Sequence, residues 1–252
     1  MFNDTFILGS GKTMLDISNE EKDYINKSSL CVSLNKYLLF YEKIGIIPKF
    51  HYQLDGFDAI GRYVFKSTLD KIESDPLLKD VIIVCGESLE DLIKERNIPY
   101  KLTNIHPASG QEWNKGEGYD LEAWFKRIGW SSDPWKDLFH FKGSLTSVIN
   151  LVHAMEPTNK IKLLGVDMST SEYFFQKEYV KDGRLHDWTY NIMSACNKHS
   201  NILEGVGGYS QEKCIPKIRG RIISTGGDLV VCNKKVFYFT ENFLNFEPII
   251  KD

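Results

Sequence analysis

The sequence lacks the patterns of a membrane-spanning, secreted or zinc-binding protein. None of its 252 residues falls in an apolar run near the ~18 residues that a spanning helix needs. The N-terminus carries Asn3 and Asp4 and no basic region followed by an apolar core, so no secretory signal is predicted. The 5 cysteines are scattered without a C-x-x-C pair, which argues against a disulfide framework or a zinc site. We expect a cytoplasmic protein with reduced cysteines.

Two further absences narrow the function. The formal net charge of −3 provides no basic field, so a nucleic acid is not an expected partner. No Asp-x-Asp pair occurs, so a metal-bridged diphosphate site is not indicated. We therefore expect neither a metal nor another cofactor. With 26% charged and 42% hydrophobic residues, the chain is long enough for one α/β domain, with or without an appendage.

The stretch that organises the chain is a short apolar run that breaks into glycines near the N-terminus. We interpret it as a strand, a turn at Gly9, Ser10 and Gly11, and a helix start. Backbone N–H groups at such a turn favour a phosphate. A glycine-rich turn without a ligand is the alternative.

This turn is not predicted to be a P-loop. The run from Gly11 to Thr13 matches the end of that motif, but the first glycine of the motif would fall on Phe6. We expect Gly11→Val to abolish nucleotide binding, because a β-branched side chain blocks a positive φ angle and a close backbone approach. Lys12→Ala should do much less.

Polar residues follow several other apolar runs. Asn35 follows 30–34, Asp55 follows the predicted strand 50–54, and Asp167 ends the run 161–167. Ligands of open α/β sheets lie beyond the carboxyl ends of parallel strands, so these side chains are candidates for binding a base or a sugar. For Asn35, capping of the next helix is an equal alternative.

The rest of the chain is predicted to form one Rossmann-like domain over 1–215, with a mostly parallel sheet between helices. Segments 99–140 and 168–186 are predicted as irregular lid or acceptor-binding segments, although aromatic packing explains the first equally well. Apolar runs at 229–232 and 236–239 predict a C-terminal β-hairpin, which would form an appendage over 216–252.

Several of these short motifs occur together in the order of a known group. They are the glycine turn, Asn35, the run 45–50 leading to Asp55, the helix start at Gly143 and Ser144, and the run 164–167. In this the chain resembles the bacterial single-domain sialyltransferases that use CMP-sialic acid, and their motility-accessory-factor and pterin-diphosphokinase-like relatives. The resemblance covers residues 5–205 and implies a variant glycosyltransferase-A fold.

The resemblance also implies roles for particular residues. The family binds the CMP of the donor through the first glycine turn and strand-end Asn residues, and through a small hydroxyl-rich turn at a helix start. A lid tyrosine and a catalytic histidine follow. The corresponding residues in this chain are Gly9, Ser10, Gly11, Asn35, Gly143, Ser144, Thr146, Tyr173 and, as general base, His186.

The chain departs from the family at two places. Lys142 replaces the arginine before the second donor segment, and Asp55 stands where the sialyltransferases carry Asn and the kinase-like relatives carry Asp. His106, before Pro107, is similar to a His-Pro pair in other CMP-sugar transferases and is the next candidate base. The remaining histidines are interpreted as structural: His51, His140, His153 and His199.

Three functions are carried forward. The first is metal-independent transfer of sialic acid, Kdo or a related acidic sugar from a CMP donor to a glycan hydroxyl. The second is pyrophosphoryl transfer from ATP, with Asp55, Asp58 and Asp167 as magnesium ligands. The third is a non-enzymatic nucleotide-binding protein. A lipid-linked acceptor that brings the protein to a membrane surface, and a homo-oligomer, are left open.

Overall fold

The structure is a computed structural model, and it describes most of the chain. The described residues are 4–54, 59–105, 125–127, 129–141, 143–168, 173–175 and 211–250, without the side chains of residues 60, 211 and 212.

One sheet runs through the described residues. Its 9 strands lie in the order β6-β5-β4-β3-β2-β1-β7-β8-β9, and all neighbouring strands are parallel. The α/β fold class predicted from the sequence is thereby confirmed. The strands are β1 Asp4–Leu8, β2 Leu30–Leu34, β3 Phe50–Gln53, β4 Ile82–Gly86, β5 Tyr100–Ile105, β6 Asp137–Leu138, β7 Lys160–Leu164, β8 Asp228–Val231 and β9 Asn245–Phe246.

Helices connect these parallel strands, as the geometry of parallel pairing requires. The α-helices whose bounds fall within the described residues are α1 Asn19–Asn26, α2 Ala59–Ser74, α3 Glu90–Ile93, α4 Ser144–Met155, α5 Gln211–Ile223 and α6 Phe237–Thr240. The same part of the chain contains four 3₁₀-helices, Lys12–Asp16, Tyr37–Lys43, Pro76–Leu78 and Glu87–Leu89. None of the helices among the described residues has the length and apolar character to cross a bilayer.

The central strands are apolar on both faces, because helices cover both sides of a parallel sheet. Alternate residues point to opposite faces. Ile7, Val32 and Tyr52 belong to one buried cluster, which includes α4. Phe6 and Cys31 belong to a second buried cluster on the other face. The core is therefore divided by the sheet into two layers.

The predicted C-terminal hairpin is wrong. Strand β8 pairs in parallel with β7, and β9 pairs in parallel with β8. The second predicted strand, 236–239, overlaps helix α6 instead. A short apolar run does not distinguish a strand from a buried helix, and Val236, Phe237 and Tyr238 are buried in this helical turn. The predicted boundary between residues 215 and 216 falls inside α5.

Candidate functional site

The sheet changes direction at β1. The chain runs from β1 through β2 to β6 on one side, and β7 returns to the other side of β1 before the sheet continues to β9. Ligands of open α/β sheets bind at such a switch point, beyond the carboxyl ends of the strands. The glycine turn after β1 and the segment after β7 lie there together.

The N–H groups of the glycine turn donate to the protein itself. Gly9 N–H donates to the Leu164 carbonyl at 2.8 Å, and Gly11 N–H donates to the Gly165 carbonyl at 2.7 Å. Thr13 N–H donates to Asp167 Oδ2 at 2.9 Å, and the Thr13 hydroxyl donates to Asp167 Oδ1. The Asp167 carboxylate thus accepts an N–H group of the segment that was predicted to bind phosphate.

The turn after β1 and the segment after β7 approach each other so closely that Gly9 and Gly11 must be glycines. A Cβ atom on Gly11 would lie 2.4 Å from Asp167 Cγ, and one on Gly9 would lie 2.3 Å from the Gly165 carbonyl oxygen. Gly11 has a φ angle of −67°, which any residue adopts, so the expected positive φ at this position is wrong. Gly11 is needed because Asp167 lies against it.

Asp167 is itself buried beside the turn. Burial raises the pKa of its carboxyl group, and the hydrogen bonds from Thr13 oppose that rise. Because the Asp167 carboxylate already accepts two hydrogen bonds from Thr13, it holds the ends of β1 and β7 together.

The structure brings Tyr173 to the same turn. Tyr173 forms an isolated bridge with Gly11, and Phe174 N–H donates to the Ser10 carbonyl at 3.0 Å. The Tyr173 ring stacks on Phe175 at a centroid distance of 5.1 Å. Three of the residues predicted to contact the donor, Ser10, Gly11 and Tyr173, are therefore neighbours.

Asn35 lies at the carboxyl end of β2 in the left-handed conformation, with φ 56°. Its N–H donates to the Tyr52 carbonyl at 3.1 Å, whereas its side-chain Oδ1 is buried and has no hydrogen-bond partner among the described residues. The following 3₁₀-helix begins after Lys36 and receives no side-chain cap. Asn35 is thus not the helix cap that was the alternative.

Two polar residues of β3 that sequence reasoning missed lie beside Asn35. His51 Nδ1 and Ser33 Oγ are 2.8 Å apart, and both residues are buried. Burial lowers the pKa of His51 to about 4, while hydrogen bonds to the Gln53 side chain and to the Asn35 main chain oppose the fall. The available signal was the pair of polar residues, His51 and Gln53, at alternate positions of a strand that is otherwise apolar.

Helix α4 begins at the same edge, because it follows the carboxyl end of β6 and leads to the amino end of β7. Gly143 precedes it with φ 116°, and no side chain caps the helix start. Ser144 is buried there, and the Thr146 hydroxyl accepts from Phe141 N–H at 2.8 Å. The first N–H groups of a helix attract an anion when no side chain caps them.

His140 lies between β6 and α4, in a place that sequence reasoning treated as structural. Its Nδ1 is 2.7 Å from Ser147 Oγ, on the first turns of the helix. Burial lowers the pKa of His140 to about 4, so its ring is neutral at physiological pH.

Several predicted site residues lie outside the described residues. They include Asp55, Asp58, His106, Lys142 and His186. Among the residues that are described, no group of three or more His, Cys, Asp or Glu side chains is arranged to hold a metal ion.

No family model and no curated protein matches the chain. Among solved structures, it is similar to the MAf glycosyltransferase from Magnetospirillum magneticum AMB-1, with 14% sequence identity and a TM-score of 0.42. The match covers 68% of this chain and 24% of that one, so this chain spans about a quarter of that protein's length. A likeness at this level does not assign an activity.

Proposed function

We propose that the chain is a glycosyltransferase that moves an acidic sugar, such as sialic acid or Kdo, from a CMP-activated donor to a glycan hydroxyl. One observation carries this proposal: the switch point gathers candidate donor-binding residues from distant parts of the sequence. Contacts join the segments that contain Gly9, Ser10, Gly11, Asp167 and Tyr173. Asn35, Gly143 and Ser144 lie at the same carboxyl edge of the sheet.

The roles of these residues follow from their contacts. Gly9 and Gly11 let the ends of β1 and β7 meet, with Asp167 fastening the junction through Thr13. The donor phosphate is held by the start of α4, where the N–H groups have no side-chain cap. A single phosphate at a helix start needs no divalent ion.

His186 completes the proposed reaction as general base. The acceptor oxygen attacks the anomeric carbon, its proton passes to His186, and the bond to the CMP phosphate oxygen breaks so that CMP leaves with the electron pair. His186→Ala should lower turnover by ~10²–10⁴-fold and leave CMP affinity unchanged. The wild-type rate should fall below about pH 6.5, as the imidazole is protonated.

Pyrophosphoryl transfer from ATP is the competing function. It would require Asp167 as a metal ligand, and this carboxylate already accepts two hydrogen bonds from Thr13. Freeing it would open the junction between β1 and β7. The contacts of Asp167 therefore favour the sugar transferase.

Thermal unfolding in the presence of nucleotides tests the proposal. CMP or CTP at 100 times its dissociation constant, with EDTA present, should stabilise the protein by about 2.7 kcal/mol. Stabilisation only by ATP with Mg²⁺ would support the kinase instead. Nucleotide binding without any turnover on sugar acceptors would support the non-enzymatic protein.

A further inference from the structure

His140 lies at the carboxyl edge of the sheet, between β6 and the start of α4. Phe141 and Gly143 are both bonded to the first turn of this helix. Phe141 N–H donates to the Thr146 hydroxyl at 2.8 Å, and that hydroxyl donates to the Gly143 carbonyl at 3.2 Å. The His140 ring joins the same turn, because its Nδ1 is 2.7 Å from Ser147 Oγ. The His140 side chain is therefore held beside the helix start.

The direction of the Ser147 side chain places the ring more closely. Helical side chains lean toward the amino end of their own helix. Ser147 is the fourth residue of α4, so its hydroxyl lies over the turn that contains Gly143 and Ser144. The first N–H groups of that turn have no intrahelical acceptor and no side-chain cap. A phosphate that accepts from them lies next to the His140 ring.

The Ser147 hydroxyl determines which ring nitrogen of His140 carries the proton. Ser147 is 0% exposed, and within the described part of the chain its hydroxyl has one partner, His140 Nδ1. The buried hydroxyl proton is paired when it donates to Nδ1, which leaves the proton of the neutral imidazole on Nε2. The ring is neutral at physiological pH, because burial lowers its pKa to about 4.

The Nε2–H of His140 is a donor that a ligand can reach. The residue is partly exposed, and Nε2 has no hydrogen-bond partner among the described residues. It is also not one of the polar atoms that the described residues enclose without a partner. The ring is thus fixed to the helix through one nitrogen and offers a proton through the other.

We propose that His140 is a ligand of the donor phosphate, to which its Nε2–H donates a hydrogen bond. The inference rests on the proposed CMP donor and names the side chain that completes its phosphate site. The phosphate carries one negative charge in a CMP-sugar and gains charge as CMP leaves, so a fixed donor at this place also favours the transfer. Ser147 is a positioning residue, because its hydroxyl fixes the tautomer and the orientation of the ring.

The test is calorimetric titration of the full chain with CMP and with cytidine, with EDTA present. These two ligands differ only in the phosphate. His140→Phe keeps a ring and removes the donor, so CMP should bind ~10–100-fold more weakly, whereas cytidine affinity should not change. Ser147→Ala keeps the donor and frees the ring, so its loss for CMP should be smaller, about 2–5-fold.

His153→Phe is the matched control. His153 is a second histidine bonded to α4, near the other end of that helix, where it contacts Trp130 and Thr225. This variant should change stability and leave both affinities unchanged. If His140→Phe does not fold, the double variant with Ser147→Ala decides the test, because it removes both partners of the hydrogen bond and leaves neither unpaired.

The other outcomes overturn the inference. If His140→Phe binds CMP as tightly as the wild type does, His140 is structural while the proposed function stands. An equal loss for CMP and cytidine would mean that His140 supports the nucleoside site or the fold and not the phosphate. If the wild type binds none of CMP, CTP and cytidine, the proposed function fails together with the inference.

Discussion

Two buried polar groups of the same sheet are built in opposite ways. Lys162, in β7, is 0% exposed, and its ammonium lies 2.7 Å from Asp4 Oδ2. It also donates to the carbonyls of Pro248 and Ile249, each at 3.0 Å. At the carboxyl ends of β2 and β3, by contrast, the buried His51 ring is neutral and hydrogen-bonds to the Gln53 side chain, and the buried Oδ1 of Asn35 has no hydrogen-bond partner among the described residues.

The difference is between a buried charge that is fully paired and a neutral polar edge that is paired only in part. The Lys162 group joins β1, β7 and the C-terminal segment, and Tyr24 adds a hydrogen bond to Asp4 at 3.1 Å. Its charge is satisfied within the chain. The Asn35 Oδ1 at the carboxyl edge is costly in isolation, because a buried acceptor without a donor loses its hydration.

The largest expected effect is on the paired group. Lys162→Met should lower the free energy of unfolding by about 3–5 kcal/mol, because it leaves buried acceptors without their cation. Urea denaturation measures this loss, and CMP affinity of the folded variant should not change. A large loss of CMP affinity with little loss of stability would mean that Lys162 serves ligand binding and not the stability of the fold.

A matched surface pair provides the reference for this prediction. Lys235 is 74% exposed at its side chain and lies 2.9 Å from Asp16 Oδ2. Lys235→Met should cost at most about 1 kcal/mol, because water and salt screen an exposed pair.

The second effect is a loss of stability in acid, and it belongs to His51 at the carboxyl edge. His51 has a folded-state pKa of about 4 against 6.5, so the unfolded chain binds more protons between these values. Its contribution is complete above pH 6.5 and is lost as pH falls, by about 3 kcal/mol in total. Denaturation from pH 7 to 4 should show a weaker pH dependence in His51→Gln than in the wild type.

Other buried groups also change the pH dependence of the free energy of unfolding, each in the direction that its pKa shift gives. Burial also lowers the pKa of His140 and His153, so both add to the loss in acid. Burial raises the pKa of Asp167, so that carboxyl group favours folding at low pH and acts in the opposite direction. An unchanged slope in His51→Gln would mean that His51 is solvated in the folded protein.

An intermediate effect is expected at the glycine turn, where Gly9, Gly11 and Thr13 all donate to the segment that follows β7. Gly11→Ala should destabilise the protein by about 1–3 kcal/mol, because the new methyl group overlaps the Asp167 carboxyl group. Asp167→Ala removes that obstacle, so the double variant should lose less than the sum of the single losses. Urea denaturation of the four proteins of this cycle measures the coupling, and strict additivity would exclude the contact.

The smallest effect sharpens the comparison most. Gln53→Met places the same residue as Lys162→Met, but beside a neutral ring instead of a buried charge. Because it removes the hydrogen-bond partner of the His51 ring, it should lower the free energy of unfolding by about 1 kcal/mol. A loss as large as that of Lys162→Met, measured by urea denaturation, would contradict this difference.

The central sheet was predictable because most of its strands are compact apolar runs. Strand β4, Ile82–Gly86, is one such run, and the strand-end positions of Asn35 and Asp167 followed from the same pattern. Strand β5 was missed because Lys101, Thr103 and Asn104 give it the composition of a loop. Strand β9 is only 2 residues long, so periodicity cannot detect it.

The internal chemistry of the site was less predictable. Thr13 and Asp167 are separated by 154 positions, and no local pattern indicates that a carboxylate will accept from the turn. Gln53 resembles any polar residue at a strand end. Its burial and its hydrogen bond to the His51 ring are properties of the folded sheet.

The position of β1 at the switch point also has a consequence for biosynthesis. Its pairing with β2 can form early, because β2 follows in the chain, but its other neighbour is β7, about 155 residues later. On the ribosome, one edge of β1 stays open until β7 and Asp167 have left the exit tunnel. We expect the nascent chain to need protection of that edge, and the carboxyl edge of the sheet around β1 to be among the last parts to mature.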